Sequence, residues 1–174
     1  MKNKRSFTLI ELLVVMGIIG LLIALLFPAI GAARQAANRA KAESEVKGIE
    51  TAILNYLRDY GRFPLVTSAA DRDYTGTDYQ NLIRILRGSN VNVSGQSWNA
   101  RREVYLEVSA ASVVNDFLKD PWDRDYRVVV DGDFNNSITL GAPLNTTLVG
   151  RSVAVWSTGP DGTNTNTFVR SWSL

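Results

Sequence analysis

The stretch Phe7-Thr8-Leu9-Ile10-Glu11-Leu12-Leu13-Val14-Val15 begins the apolar segment on which the fold of the chain depends. From Leu12 to Ala33 the segment runs for 22 residues without a charged side chain. As an α-helix these residues rise about 33 Å, at roughly 1.5 Å per residue, against a bilayer hydrocarbon core of roughly 30 Å. The sequence therefore predicts a helix that can span a membrane.

The charges on either side of this segment predict its orientation. Lys2, Lys4 and Arg5 precede it without an acidic residue, and a large polar region follows it. Because basic flanks stay on the cytoplasmic side, we expect a cytoplasmic amino end and an exported carboxyl-terminal domain.

A secretory signal peptide is the simplest alternative. It also combines a basic start with an apolar run, and Gly31-Ala32-Ala33 has the small residues of a cleavage site. The run is longer than a usual signal core, however, and Glu11 lies inside its start. A charge at mid-bilayer costs roughly 2.5–3.5 kcal/mol, which a signal peptide has no reason to bear. The sequence favours a permanent helix.

Glu11 has two interpretations. Thr8-x-x-Glu11 fits a capping box, in which the hydroxyl and the carboxylate satisfy free amides at a helix start. If the chain is cut between Ser6 and Phe7, the new amine of Phe7 could instead pair with Glu11 of a neighbouring copy. That pairing would remove two uncompensated charges from lipid.

The basic leader and the stretch at residues 7–15 resemble the amino-terminal signature of type IV pilins and type II secretion pseudopilins. The resemblance implies that a prepilin peptidase cuts between Ser6 and Phe7 and that the amine of Phe7 is methylated. It also implies that Glu11 acts in filament assembly. This chain has Ser6 where the family usually has glycine.

The resemblance also implies partners and a location. Gly20 and Pro28 match the part of the helix that loosens in assembled filaments, which fits a weak helix former and a residue without an amide proton. The implied partners are further copies of the chain, other pseudopilins, the peptidase and an inner-membrane assembly platform. The implied location is the inner membrane, with a periplasmic carboxyl-terminal domain, and then a filament.

The helical pattern continues beyond the apolar segment. Apolar residues recur three and four apart up to Tyr60, Gly61 can cap the helix, and Pro64 follows as a stop. The recurring residues are Val46, Ile49, Ile53, Tyr56, Leu57 and Tyr60. We therefore divide the chain into a leader (1–6), a transmembrane and polymerisation helix (7–33), an amphipathic second half (34–61) and an exported domain (62–174).

The exported domain is predicted to be α+β, with the helix packed on an antiparallel sheet of three or four strands in a pilin-like fold. Its predicted elements are a loop to Thr77, a helix capped by Asp78 and ended by Gly88, a loop at Ser89–Ala100, a strand at Glu103–Val108, a hairpin of Arg127–Val130 with Ser137–Leu140, and a strand at Val153–Ser157. Asp120-Pro121-Trp122-Asp123-Arg124-Asp125-Tyr126 is predicted to be an exposed turn with solvated acids, seated by its aromatic residues.

Three further motifs resemble the major pseudopilins of type II secretion, in the order of that family. They are Tyr60-Gly-Arg-Phe-Pro64, Asp120-Pro-Trp122 with Tyr126, and Trp156-Ser-Thr-Gly-Pro-Asp161-Gly162. A type IV pilin with a disulfide-bonded loop fits less well, because the chain has no cysteine. The resemblance implies calcium in the loop after Asp161.

Calcium takes about six to eight oxygen ligands. Ser157, Gly159 and Asp161 could supply some of them, but Thr165-Asn166-Thr167-Phe168 stands where the family has an acidic pair. A loop held by hydrogen bonds alone therefore stays open. Asp131-x-Asp133-x-Asn135 imitates the start of an EF-hand, yet Asn136 and Ala142 replace its glycine and its last acid, which favours a polar hairpin turn.

The composition excludes most kinds of enzymatic catalysis. The chain has no histidine and no cysteine, and it shows neither a phosphate-binding loop nor a nucleophile–base pair. The sequence pI of about 9.0 suggests a nucleic-acid partner, but three basic residues lie in the leader, so 16 basic and 17 acidic residues remain beyond it. The basic residues Arg84, Arg87, Arg101 and Arg102 are interpreted as a solvated face.

We therefore expect a structural subunit of a type II secretion pseudopilus, and not an enzyme. Two alternatives stay open. One is a type IV pilus subunit for adhesion, motility or DNA uptake. The other is a monomeric membrane-anchored or secreted binding domain.

Overall fold

The computed structural model describes residues 8–172 and divides the chain into two compact units, with the boundary after Asn38. The helices are α1 (Leu9–Tyr60) and α2 (Gly76–Leu86). The strands are β1 (Arg72–Tyr74), β2 (Val91–Val93), β3 (Gln96–Trp98), β4 (Val113–Val114), β5 (Phe117–Leu118), β6 (Arg127–Val130), β7 (Ser137–Leu140), β8 (Thr146–Val149), β9 (Val153–Ser157) and β10 (Val169–Arg170). Two short 3₁₀ turns lie at Ala110–Ser112 and Thr165–Thr167.

The first unit consists of the amino-terminal part of α1. Every residue from 8 to 37 is exposed, although most side chains from Leu9 to Ile30 are large and apolar. The helix continues through Pro28 without a break. Within the described residues, α1 is the one helix that is long and apolar enough to cross a membrane.

The second unit contains the core of the chain. The buried residues of α1 lie on one stripe of the helix: Ala42, Val46, Ile49, Ala52, Ile53 and Tyr56. Four of these were predicted from the sequence, whereas the predicted Leu57 and Tyr60 are only partly buried. The helix ends at Tyr60, where Gly61 adopts a left-handed φ of 66° and its amide donates to the carbonyl of Leu57 at 2.8 Å. This is the glycine cap that the sequence predicts.

A four-stranded antiparallel sheet packs on that stripe, in the order β1-β6-β9-β10. Because side chains alternate along a strand, the two faces of the sheet enter different clusters. Val128, Val130 and Val155 join the cluster of α1 and α2, whereas Val129 and Trp156 face a second cluster with Ile138, Leu140, Ala154, Phe168 and Trp172. The predicted α+β class, with a helix on an antiparallel sheet, is confirmed.

The predicted hairpin of residues 127–130 with 137–140 is wrong. Strand β6 pairs with β1 and β9, and β7 pairs with β8. The burial of the strands gives the reason. Residues 128–130 are all buried, so β6 needs cover on both faces and a neighbour on each side, whereas β7 alternates and serves a layer with one covered face. Residues 131–136 therefore connect two sheets.

The predicted strand at Glu103–Val108 is also wrong. The amides of Tyr105 and Leu106 donate to the carbonyl of Leu86 at 2.8 and 2.9 Å. The last carbonyls of a helix lack partners within the helix, and this segment supplies them for α2. Val104 makes only an isolated bridge with Arg87.

The structure differs from the sequence prediction at three further elements. Strand β1 lies in the predicted loop before Thr77, and the hairpin of β2 and β3 lies in the predicted loop at Ser89–Ala100. Helix α2 starts earlier, with Thr75 at its N-cap, and Asp78 forms an ion pair with Arg72 instead of a cap. Gly88 follows the end of α2 with a φ of 90°, as predicted.

Candidate functional site

Glu11 is held at the start of α1 by Thr8. The Thr8 hydroxyl and amide donate to Glu11 Oε2 at 2.7 and 2.9 Å, and the Glu11 amide donates to the Thr8 hydroxyl oxygen at 3.3 Å. The capping box predicted from Thr8-x-x-Glu11 is therefore present. Ser6 and Phe7, the predicted cleavage and methylation residues, lie outside the described residues.

The surroundings of Glu11 are apolar. Ile10, Val14 and Val15 line a shallow recess beside it, and no other acid occurs before Glu43. A carboxylate in the first turn is favoured by the partial positive charge of the helix amino terminus. The arrangement places one acid on an exposed apolar helix, where it is available to a cation that approaches from outside.

Gly20 and Pro28, the other predicted assembly residues, lie farther along the same exposed helix. A Cβ placed on Gly20 would meet no atom within 4 Å. Nothing in the described chain therefore requires a glycine at this position for packing.

The predicted calcium ligands lie where β9 runs into the carboxyl-terminal loop. The Ser157 hydroxyl is buried and donates to Asp120 Oδ2 at 2.6 Å, and its oxygen accepts from the Gly159 amide at 3.0 Å. Asp161 is exposed and accepts from the Thr163 hydroxyl at 3.1 Å. Ser157 and Gly159 are therefore hydrogen-bonded to each other, whereas Asp161 has a different partner, Thr163.

Arg124 contacts the same loop. Its Nη1 donates to the Gly159 carbonyl at 2.5 Å, and its Nη2 donates to the Pro160 carbonyl at 3.2 Å. Its neighbour Asp120 is 4% exposed, so the prediction of an exposed turn with solvated acids is wrong at Asp120. Both residues were missed as loop contacts, since the only local signal was the turn in which they lie.

Comparison with known proteins identifies the family of this chain. The family described as "Prokaryotic N-terminal methylation motif" matches residues 1–27. Over 112 residues the chain is 30% identical to the type IV wide pilus major component PilA4 of Thermus thermophilus, covering 64% of this chain and 77% of that protein. The chain belongs to the type IV pilin-like family.

Longer matches connect this pilin-like chain to secretion systems. It is 25% identical over 175 residues to type II secretion system core protein G of Klebsiella pneumoniae, covering 100% of this chain and 98% of that protein. It is 26% identical over 173 residues to the protein of the same name from Escherichia coli strain K12, covering 99% and 93%. No solved structure matches the chain.

These relatives establish the class of protein. They are structural pseudopilin and pilin subunits, so the pilin-like chain is a pseudopilin-like protein and not an enzyme. With its long apolar helix it is of the membrane-anchored, filament-forming kind.

The calcium implied by the resemblance does not fit the predicted ligands. A dication needs several oxygen ligands with negative charge. Here the Gly159 carbonyl already accepts from a guanidinium, the Ser157 hydroxyl is used inside the protein, and Asp161 is the one carboxylate of the three. A calcium ion on the Gly159 carbonyl would lie against the positive charge of Arg124.

Three acids do converge elsewhere in the pilin-like domain. Carboxylate oxygens of Asp71, Asp131 and Asp133 lie within 4.8 Å of one another. Asp131 and Asp133 belong to the motif that resembles the start of an EF-hand, whereas Asp71 comes from a loop distant in the sequence. Burial, followed by the side-chain hydrogen bond with Asp133, raises the pKa of Asp131 above its ordinary value. Asp131 accepts from the amides of Asn135 and Asn136 at 3.1 and 2.8 Å, which folds a polar turn. It is not the predicted hairpin turn, because β6 and β7 lie in different sheets.

The predicted arginine face has partners of its own. Arg84 lies 3.7 Å from a carboxylate oxygen of Asp116, with both side chains more than 40% exposed. The guanidinium of Arg101 lies 5.8 Å from the centre of the Tyr60 ring. Arg84 is therefore paired with an acid and Arg101 lies near an aromatic ring, and the exposure of the Arg84 ion pair agrees with a solvated surface.

Proposed function

We propose that this chain is a structural subunit that prepilin peptidase cleaves between Ser6 and Phe7, and that then polymerises into a type II secretion pseudopilus in support of protein export. One observation carries the proposal. The apolar helix from Leu9 to Ile30 is exposed along its whole length and bears a single acid, Glu11. Such a surface is suited to a membrane first and to a bundle of identical helices afterwards.

The leader and the helix suggest the first steps. Lys2, Lys4 and Arg5 keep the amino end in the cytoplasm, and the domain beyond the helix crosses to the periplasm. The chain then waits in the inner membrane with one transmembrane helix. Cleavage before Phe7 removes the leader and creates an amine, which is methylated.

Assembly then depends on charge. Lipid tails are as apolar as leucine, so apolar contact alone does not drive helices together in a bilayer. A carboxylate and an amine at similar depth are different, because pairing spares both from facing lipid alone. The Phe7 amine of one subunit therefore takes Glu11 of the next, and the helices bundle around that contact. We expect Gly20 and Pro28 to let the helix loosen as it packs.

The length of the matches favours a pseudopilus. The secretion proteins match this chain over nearly its full length, whereas the wide-pilus component matches over 112 residues. The higher identity to the pilus component keeps a type IV pilus subunit as the second candidate. In the native host, deletion of the gene should abolish export of secreted proteins and leave pilus-dependent traits unchanged; the reverse pattern favours the pilus.

Glu11 variants test the assembly step. Glu11→Ala should keep membrane insertion and lose filaments, measured by fractionation and by recovery of sheared filaments. Glu11→Gln separates the two interpretations, since glutamine also serves in a capping box but carries no charge. We expect it to fail as well.

Glu43→Ala is the matched control, because Glu43 is an exposed acid on the same helix, paired with Arg39 at 3.2 Å. It should assemble normally. Normal filaments from Glu11→Gln would refute the charge pairing. Mass spectrometry of the mature protein should show a methylated Phe7, and a start near Ala33 or an intact Met1 would refute the processing step and favour a signal peptide or a plain anchor.

A further inference from the structure

A cation of the protein's own lies on the carboxyl-terminal loop. Arg124 donates from Nη1 to the Gly159 carbonyl and from Nη2 to the Pro160 carbonyl. Gly159 is buried, so its carbonyl has little access to water. The two carbonyls come from consecutive residues and share one guanidinium. This geometry suits the planar fork of arginine, which stays charged at any physiological pH.

The turn that carries Arg124 is held together by hydrogen bonds to Asp120. Asp120 Oδ1 accepts from the amides of Trp122 and Arg124, both at 2.9 Å, and the Asp120 amide donates to the Arg124 carbonyl at 2.7 Å. The other oxygen of Asp120 accepts from the Ser157 hydroxyl at 2.6 Å. Turn and loop are thus joined at two points, which we call the loop clamp: Asp120–Ser157, and Arg124 with Gly159 and Pro160.

The backbone of the loop leaves room for the guanidinium. A Cβ on Gly162 would lie 2.5 Å from Arg124 Nη1 and 2.7 Å from its Cζ. Gly162 also has a φ of 82°, which side chains rarely adopt. Its amide donates to the Thr158 carbonyl at 3.1 Å and closes the turn around the arginine.

The end of the loop uses amides and hydroxyls instead of acids. Asn164 accepts from the Asn166 amide at 3.1 Å, and its carbonyl accepts from the Thr167 hydroxyl at 2.8 Å. A second arginine, Arg170, donates to the Thr165 carbonyl at 2.7 Å. The loop therefore presents carbonyls to two guanidinium groups and offers Asp161 as its one carboxylate.

We propose that Arg124 is the resident cation of this loop and that the loop is held without a metal ion, in contrast to the calcium that the family resemblance implies. The guanidinium supplies the positive charge that the carbonyls of Gly159 and Pro160 need. Its charge also opposes entry of a dication at the same oxygens. The loop clamp then does the work of a bound ion by joining the loop to the turn at residues 120–124.

The test uses the full chain in detergent micelles, so it does not depend on filament assembly or on the proposed function. Thermal unfolding and amide hydrogen exchange are measured in excess EGTA and in millimolar calcium chloride. For the unaltered chain we expect the same exchange rates at residues 157–170 in both solutions. Calcium-dependent protection of those residues would overturn the proposal.

Variants test the arginine itself. Arg124→Gln should lower the midpoint and speed exchange at residues 157–170, with and without calcium. Arg84→Gln removes the same charge from an exposed ion pair and should leave that exchange unchanged. Unchanged exchange in Arg124→Gln would overturn the proposal. If that variant does not fold, the comparison of EGTA with calcium on the unaltered chain still decides.

The acidic group of Asp71, Asp131 and Asp133 gives the experiment an internal reference. Calcium-dependent protection confined to residues 131–139 would show a cation at that turn and not in the loop, which would support the proposal. Protection at residues 157–170 would show a cation in the loop, against the proposal. Exchange measured residue by residue separates the two outcomes.

Discussion

Asp120 shows how far the prediction of a single residue can go. Its place before Pro121 correctly indicates a turn. Its burial does not follow from the turn, because an aspartate is buried only where its oxygens find donors. One of those donors is the hydroxyl of Ser157, 37 residues farther along the chain. The contact of Arg124 with Gly159 spans 35 residues and was missed for the same reason.

Gly162→Ala tests the loop clamp at the level of one atom. The added Cβ would displace Arg124 from its carbonyls and would strain a φ of 82°. Gly150→Ala is the matched control, since Gly150 has a φ of 78° and nothing lies within 4 Å of its built Cβ. Strain alone costs about 1–3 kcal/mol. Gly162→Ala should lower the free energy of unfolding by about 1.5–3 kcal/mol more than Gly150→Ala does, as expected for a lost hydrogen bond to a charged group.

The measurement is urea-induced unfolding of both variants in the same detergent, followed by tryptophan fluorescence. Equal losses of stability in Gly162→Ala and Gly150→Ala would show that Arg124 moves aside freely. The loop clamp would then contribute little to the free energy of unfolding.

At the scale of elements, the helix was predicted better than the strands. The stripe from Val46 to Tyr56 follows from apolar residues spaced three and four apart, so the period of the helix is enough to predict it. Gly61 indicates where the helix ends. Strands depend on partners. Arg72–Tyr74 has three residues and becomes a strand because Val128–Val130 lies beside it. The segment at Glu103–Val108 alternates like a strand but instead supplies donors to the end of α2.

Ile49→Ala tests the stripe of α1. Ile49 is fully buried against the sheet, and removal of a buried aliphatic side chain costs about 2–5 kcal/mol because a cavity is left. Leu54→Ala is the control on the same helix, since Leu54 is 41% exposed. It should change stability by no more than about 0.5 kcal/mol. Chemical denaturation measures both, and similar losses would place Leu54 in a buried contact.

At the scale of the whole molecule, the chain divides according to what it buries. All the residues of both buried clusters lie beyond Asn38, and residues 8–37 are exposed. The carboxyl-terminal unit therefore contains the packing that stabilises it. The amino-terminal unit has an apolar surface whose natural surroundings are lipid or other helices.

A fragment of residues 39–174 should fold on its own. Because it retains every buried residue of the two clusters, we expect a soluble monomer whose melting midpoint equals that of the full chain in detergent. Differential scanning calorimetry and analytical ultracentrifugation provide the check. A disordered or aggregated fragment would contradict the assignment of the core to this unit alone.

The sequence by itself determined the amino-terminal helix, its single acid, its capping box and the stripe that continues to Tyr60, because all of these depend on residues within a few positions of one another. It also carried the family resemblance that the comparisons confirm. Only the tertiary structure decided which strands pair with β6 and which pairs with β7, the convergence of three aspartates, and the contact of Arg124 with the carboxyl-terminal loop. Those features join residues that lie tens of positions apart. The pattern of neighbouring residues carries no information on contacts between residues so far apart in the chain. Those contacts form when the helix and the sheet bury their apolar faces together.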